Sequence, residues 1–423
     1  GPNADQENIL SGFVERGVDV FRFNMSHGDH YTIKRRMHAL RDIAKRAKKD
    51  IAIFADLQGP KMRLGRFLND QVRLKAGDTF ALDLQMPSDG GTSSAVWMDC
   101  DGLIASVKPG SILLLDDGKM HLQVTKVTEH AVICLVLTEG VLASRKGISI
   151  QGGGLQAQVF TKKDHDDLEV ALKLGVDFIA LSFPATRDDI VSLRTLIDKV
   201  DPSVGIIAKI ERKEAIDNLP AIIKASDVIM VARGDLALEV GDAEVPILQK
   251  HIINTARNLA KPVIVATHMM ESMIVSPTPT RAEVSDVANA ILDGADAVML
   301  SAETACGEYP LAVIDHVDAV CRRIEAHPIM QGRNIHEGLP VVSTRQAVAH
   351  MAMGLANHIT IRCVVALTKT GTMPCWLSRI CSGIPIYAFT HDERVGAKML
   401  LLREVYPIIL ERDITQEGGC LLY

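Results

Sequence analysis

The run Gly205-Ile206-Ile207-Ala208-Lys209-Ile210-Glu211 is apolar until its end, where it turns charged. After a helical stretch, 212–225, comes Asp227-Val228-Ile229-Met230-Val231-Ala232-Arg233-Gly234-Asp235, which ends the same way. A strand buried on both faces cannot carry charge along its length, so charge marks where each strand emerges. Lys209 and Glu211 lie two apart and share one face of an extended chain. Two successive strands therefore bring a cation and two carboxylates to one end of a sheet. Glu211 with Asp235, an all-oxygen pair flanked by cations, suits Mg²⁺ or Mn²⁺ holding an anionic, phosphorylated substrate. For one pair in isolation, a strand-end salt bridge is the simpler reading.

The 423 residues exceed what one simple core accommodates, and two or three domains are expected. A net charge of -6 argues against a general nucleic-acid binder but permits a local basic pocket. The eight cysteines show neither CxxC nor zinc-ribbon spacing and read as reduced thiols, mostly in the core, of a cytoplasmic protein. No apolar run approaches the ~18 residues of a membrane span, and no signal peptide opens the chain. The loop-like opening GPNADQEN reads as a start inside a longer native protein.

Strands are expected at 18–24, 51–56, 176–182, 205–211, 227–235, 262–267 and 296–301, alternating with helices at 8–16, 31–49, 164–174, 186–200, 212–225, 247–259, 281–292 and 310–325. Between Gly59 and about residue 159 the rhythm changes to short alternating strands with Gly and Asp turns, an all-β insert. Its joints are Gly59-Pro60 and Gly152-Gly153-Gly154. The seven βα units are one short of a (β/α)₈ TIM barrel, the expected fold, with the first strand absent from this sequence. A doubly wound open sheet is the rival. It would place its chemistry at one or two crossovers, whereas polar residues here end every strand. A third, smaller α/β unit follows a linker-like 327–339. It comprises a helix at 344–358, a strand at 363–367, a helix to Cys381, a strand at 384–389 and a helix at 392–402, with an unfinished end at 413–423. The expected division is 1–59 and 160–338 for the barrel, 60–159 for the lid and 339–423 for the C-terminal α/β domain. The loop Thr368-Lys369-Thr370-Gly371-Thr372, between a strand and a helix, reads either as a phosphate cradle or as a plain turn.

Several long segments, in order, resemble the pyruvate kinase family. They are Val20-Phe21-Arg22-Phe23-Asn24-Met25-Ser26-His27-Gly28, Asp56-Leu57-Gln58-Gly59-Pro60-Lys61, Ala208-Lys209-Ile210-Glu211, Met230-Val231-Ala232-Arg233-Gly234-Asp235-Leu236, Pro279-Thr280-Arg281-Ala282-Glu283 and Met299-Leu300-Ser301-Ala302-Glu303-Thr304. The resemblance implies phosphoryl transfer from phosphoenolpyruvate to ADP, giving ATP and pyruvate, by a cytoplasmic homotetramer with a phosphorylated sugar as effector. No nucleic acid or membrane partner is implied. It also implies residue roles. Glu211 and Asp235 hold the divalent metal, and Lys209 lies against the phosphoryl group in flight. Arg22 and Arg63 bind phosphate, and amides around Gly234 receive the substrate carboxylate. Thr267 and Ser301 help protonate the enolate carbon. Asn24, Lys146 and Asp117 lie on the nucleotide side. Residues Thr368, Lys369, Thr370, Gly371 and Thr372 cradle the effector phosphate.

One departure is informative. Relatives that need K⁺ carry Glu where this chain has Lys61, and Thr-Lys where it has Leu57-Gln58. A tethered ammonium near Asp56 is expected to replace the diffusible cation, so K⁺ is not required. A metal-dependent aldolase or lyase acting on pyruvate is the alternative, but it needs neither the β insert, Arg22 nor Lys209. A regulatory relative without turnover is opposed by the presence of every expected charged group.

Overall fold

The computed structural model describes residues 1–411 except 2, 101, 156–158, 328–329, 331–340, 342, 357 and 381–382. The linker at 327–339, the end of the 372–381 helix and the tail at 413–423 therefore lie largely or wholly outside the described residues.

Seven parallel strands form one sheet in chain order: Val20–Asn24, Ala52–Asp56, Phe178–Leu181, Gly205–Ile210, Val228–Ala232, Val263–Ala266 and Ala297–Met299. The expected (β/α)₈ pattern is thus present as seven units of a barrel wall. Alternation within each strand makes two cores. Ile53, Ile179, Ile206, Ala208, Ile229, Val231 and Val265 pack outward against the helices. Phe54, Phe178, Ile207, Met230 and Ile264 point inward and pack on one another. Lys209 continues the inward set after Ile207, so the same alternation carries its ammonium into the barrel mouth. The central strands are buried along their length, whereas Val20–Asn24 and Ala297–Met299, the two outer strands, are only half-buried.

Aspartates at the strand starts tie neighbouring strands together. Asp177 accepts a hydrogen bond from Ile53 N (2.8 Å), Asp227 from Ile206 N (2.7 Å) and Asp296 from Val263 N (2.9 Å). Each satisfies an amide that the ladder leaves open at the strand end.

Some expected bounds shift. The helix at 212–225 is two pieces, Lys213–Asp217 and Leu219–Ala225, with Pro220 opening the second. The strand expected to run to Asp235 stops at Ala232, and a helix missed in the sequence, Arg233–Val240, starts at once. Arg233, Gly234 and Asp235 therefore occupy a helix first turn, which turns Asp235 toward the barrel mouth.

The insert has its own core, including Leu74, Phe80, Leu113, Leu122 and Val132. A six-stranded sheet, Ile148–Ile150, Ile112–Leu115, Met120–Val127, Ala131–Val136, Thr79–Asp83 and Ala95–Trp97 in spatial order, is joined by a two-stranded ribbon, Gln71–Leu74 with Gly140–Ala143. The all-β reading needs one correction, the short helix Gly102–Ser106.

The C-terminal unit is a three-stranded parallel sheet, Val364–Leu367, Ile386–Thr390 and Val405–Ile409. Its last strand went unread in the sequence. This unit docks at the end of the barrel where the strands begin. Arg379 forms a fully buried pair with Asp296, and Arg394 reaches Asp177 (3.0 Å), so two of the three strand-start aspartates anchor it. Leu401 closes the inner core from below. The cysteine expectation is only partly met. Of the six described cysteines, all free, Cys134 is buried, Cys306 exposed and the rest half-buried.

Candidate active site

At the mouth of the barrel the strand ends converge on one ammonium. Lys209 Nζ lies 2.8 Å from Glu211 Oε1 and 3.3 Å from Asp56 Oδ1, and donates to Ser182 Oγ at 2.7 Å. The strand-end salt bridge read in the sequence therefore exists, inside a larger cluster. Asp56 is also held by Arg22 Nε at 2.7 Å. Burial opposes ionisation of Asp56, yet Lys209 and Arg22 outweigh it and lower its pKa. Burial likewise opposes the charge on Lys209, but Asp56, Glu211 and Asp235 together raise its pKa above the ordinary lysine value.

Glu211 has no exposed surface. Its Oε2 accepts from Phe183 N at 2.8 Å, while Oε1 has the Lys209 ammonium beside it without hydrogen-bond geometry. Burial, with a contribution from the Asp235 charge, pushes its pKa up to about 7 despite Lys209. A buried carboxylate whose pKa is raised in part by its carboxylate neighbour, and which leaves one oxygen poorly satisfied, fits a divalent cation. Among the described residues no group of three or more His, Cys, Asp or Glu forms a complete protein cage. Two carboxylates, with the other positions left to substrate and water, is the arrangement Mg²⁺ favours.

Asp235 is partly exposed, with Lys61 Nζ at 3.5 Å. This corrects the expected place of Lys61. The ammonium reaches across from the lid to Asp235, because Asp56 is already occupied by Arg22 and Lys209. A narrow cleft separates lid from barrel here, lined by Lys61, Phe183, Arg212, Asp235 and Glu239.

Arg233, read in the sequence as a charged end of its strand, turns away from this cluster. It pairs with Asp286 at 2.7 Å and donates to the carbonyls of Ala266, Thr267 and His268. It clamps a turn in which Thr267 and His268 both have left-handed φ, 70° and 55°. That conformation is costly for a β-branched residue and persists only where its surroundings enforce it. The Gly234 amide donates to Thr267 Oγ1 at 3.0 Å, so one amide expected for the substrate already has a partner. The Thr267 hydroxyl proton is left available to donate. Ser301 follows the neighbouring strand (Ala266 pairs with Met299) and its amide is held by Glu303 at 2.9 Å.

The remaining expected residues fall in three places. Asn24 ends its strand at the mouth and caps the Ser26 amide (3.0 Å). Arg63 lies in the lid, its amide on Asp99 and its guanidinium on Arg145 O. Lys146 is held on the lid by Asp116 at 2.7 Å, next to Asp117 in a left-handed turn. The loop Thr368 to Thr372 belongs to the C-terminal unit at the opposite end of the barrel. There Thr368 Oγ1 accepts from Gly371 N (2.9 Å), and the Lys369 side chain is exposed.

Sequence reasoning gave no site role to Ser182, Phe183 or His27. Ser182 was read as the polar end of its strand, and that position was the signal for it. His27 marks a basic pocket: partial burial and the charges of Arg63, Arg22, Lys61 and Lys163 hold its pKa below the ordinary value.

A barrel whose strand ends hold a buried lysine among carboxylates, faced by a lid that adds a second cation, is built to manage anionic groups in transfer. Comparison with known proteins makes this specific. Residues 1–314 match the family model "Pyruvate kinase, barrel domain" and residues 346–419 "Pyruvate kinase, alpha/beta domain". The pyruvate kinase of Haemophilus influenzae is 43% identical over 423 residues, spanning 99% of this chain and 88% of that protein. Pyruvate kinase II of Salmonella typhimurium is 43% identical over 412 residues, 96% of this chain and 86% of that one. A crystal structure of a pyruvate kinase from Cryptosporidium parvum superposes with a TM-score of 0.91 at 34% identity, covering 97% of this chain and 86% of that one. The chain belongs to the pyruvate kinase family, and is a phosphotransferase of that class acting with phosphoenolpyruvate and ADP. The family works with Mg²⁺. The aldolase or lyase alternative falls with this match. Among the described residues no helix is long and apolar enough to cross a membrane.

The Glu211 carboxyl must lose its proton before it can bind metal. Its pKa is raised to about 7, so Mn²⁺ binding to the free enzyme should weaken about tenfold per pH unit below that value and level off above it. Calorimetric titration across this range checks it. An affinity that does not change with pH would show Glu211 ionised throughout.

Proposed function

We propose the following division of labour in the transfer of the phosphoryl group from phosphoenolpyruvate to ADP. Lys209 lies against the phosphoryl group as it leaves the enolate oxygen and joins ADP, offsetting charge on its equatorial oxygens. The observation that carries this is the fixing of its ammonium between Asp56, Glu211 and Ser182, which leaves no rotamer freedom to lose on binding. Arg22 and Arg63 hold phosphate oxygens from barrel and lid, while Asn24 and Lys146 face the nucleotide. Glu211 and Asp235 hold Mg²⁺, which when bound supplies Lewis-acid stabilisation of the enolate and phosphate oxygens. First-turn amides around Gly234 face the substrate carboxylate. Thr267 and Ser301, on adjacent strand ends, pass a proton toward the enolate carbon, completing pyruvate. The lid, 60–159, excludes water while the transfer runs. The work belongs in the cytoplasm, with soluble substrates.

We further read the chain as K⁺-independent. Lys61 brings a fixed positive charge from the lid into the mouth, 3.5 Å from Asp235, and a tethered ammonium there can supply the single charge that a diffusible K⁺ would otherwise bring. The loop Thr368 to Thr372 is read as a cradle for a phosphorylated sugar, remote from the barrel mouth, and the family habit is four copies of the chain.

Lys209→Met is expected to lower turnover by ~10³-fold or more while leaving metal affinity nearly unchanged. Turnover within ~10-fold of the parent would remove Lys209 from the transfer. With tetramethylammonium as sole monovalent cation the enzyme should be fully active, and Lys61→Glu should lose activity and regain part of it with K⁺. Stimulation of the parent by ~10-fold or more at constant ionic strength would overturn this reading. Lys369→Ala should abolish activation by sugar phosphates without altering maximal turnover. Unchanged activation would move the effector elsewhere.

A further inference from the structure

The chain crosses between barrel and lid twice, outward at Gly59 and back at Thr161, and both crossings end on one side chain. Asp164 is fully buried. Its Oδ1 accepts from Gly59 N at 3.1 Å, and its Oδ2 accepts from Thr161 N at 2.9 Å and from Thr161 Oγ1 at 2.6 Å. The Thr161 hydroxyl in turn accepts from Asp164 N, a capping box that starts the helix Lys162–Lys173. Capping that helix requires only the Thr161 contacts. The bond to Gly59, 105 residues away in sequence, is additional.

Gly59 is itself seated against the site. Its φ is +68°, and a Cβ there would stand 3.0 Å from Ser182 Cβ and 3.1 Å from Phe183 Cδ2, so a side chain is excluded twice over. Ser182 Oγ receives the Lys209 ammonium and donates to Leu57 O at 2.7 Å, while Phe183 N holds Glu211. Two residues beyond Gly59 stands Lys61, which reaches Asp235. The helix that carries Asp164 is pinned at its far end, where Arg41 donates to Leu174 O and Gly175 O and Arg394 to Gly175 O and Val176 O. Lys163 on its first turn donates to Met25 O at 2.7 Å.

We propose that Asp164 is a positioning residue for the phosphotransfer, the fixed pivot on which both lid crossings turn. It sets the place of the lid cation Lys61 relative to the Lys209–Glu211 pair. Only the kinetic part of this rests on the phosphotransfer reading. An error near 1 Å at such a pivot is enough to cost about 10²-fold in rate.

Asp164→Asn keeps the shape but sets an amide NH₂ against the Thr161 donors or the Gly59 donor. Amide hydrogen exchange on the full chain, with and without Mg²⁺-ADP, should speed up ~10-fold or more around residues 59–62 and 159–161. The lid sheet and the middle of the 162–173 helix should be unchanged. In the same protein kcat should fall ~10-fold or more, with KM for phosphoenolpyruvate within ~3-fold of the parent. Thr161→Val, which removes both bonds of the Thr161 hydroxyl but keeps the carboxylate and its bond to Gly59 N, should show a smaller change at the same amides, and it serves if the Asn variant does not fold. Acceleration spread over the whole helix, or an unchanged kcat per folded molecule, would overturn the pivot and leave Asp164 a helix cap only. Hinge-confined acceleration in a chain whose parent showed no phosphotransfer would fault the reaction reading and not this assignment.

Discussion

The Lys209 ammonium, buried at the end of an apolar strand, is the constraint from which the rest of the site follows. An isolated charge there would cost several kcal/mol in desolvation, so the surroundings must supply opposite charge at close range. Asp56 and Glu211 do so, and Arg22 balances Asp56 in turn. Glu211 comes from the end of Lys209's own strand, but Asp56 and Arg22 come from two other strands, so the cluster is complete only when the sheet is assembled in its register. It also leaves Glu211 incompletely satisfied. A site left with unmatched charge in this way suits an enzyme whose substrates bring the remaining charges.

The two ends of the barrel use carboxylates for opposite purposes. Where the strands begin, Asp177, Asp227 and Asp296 close the ladder, and two of them accept arginines from the C-terminal unit. These charges are fully paired and serve cohesion. Where the strands end, Glu211 and Asp235 are left partly unsatisfied, and pay for that in stability. The lid adds Lys61 from outside the barrel, so the charge balance of the mouth depends on how the lid sits.

Much of this could be read from the residues alone. Apolar runs ending in charge located the barrel strands and, through the period of two, placed Lys209 and Glu211 on one face. The change from helical to alternating pattern located the insert. Thr267 and Ser301 gained their roles from the resemblance to the family. Ser182 was read as the polar end of its strand but lies in none of the segments that carry the resemblance, so nothing along the chain gave it a role. The helix Arg233–Val240 was missed because Arg-Gly-Asp after an apolar strand looks like a turn, and the glycine argues against helix.

The sequence by itself determined which residues are interior, which strand ends are polar and therefore where chemistry could occur, because alternation and burial are local properties of the chain. The tertiary structure alone decided which charges meet. Lys61 lies five residues from Asp56 but pairs with Asp235, and Arg233 leaves the mouth to clamp the turn at Thr267. Asp164 serves a glycine 105 residues away. Side-chain pairing depends on distances set by strand register, helix starts and the seating of the lid, and proximity along the chain does not encode these. A buried charge takes whichever partner the assembled fold brings within reach.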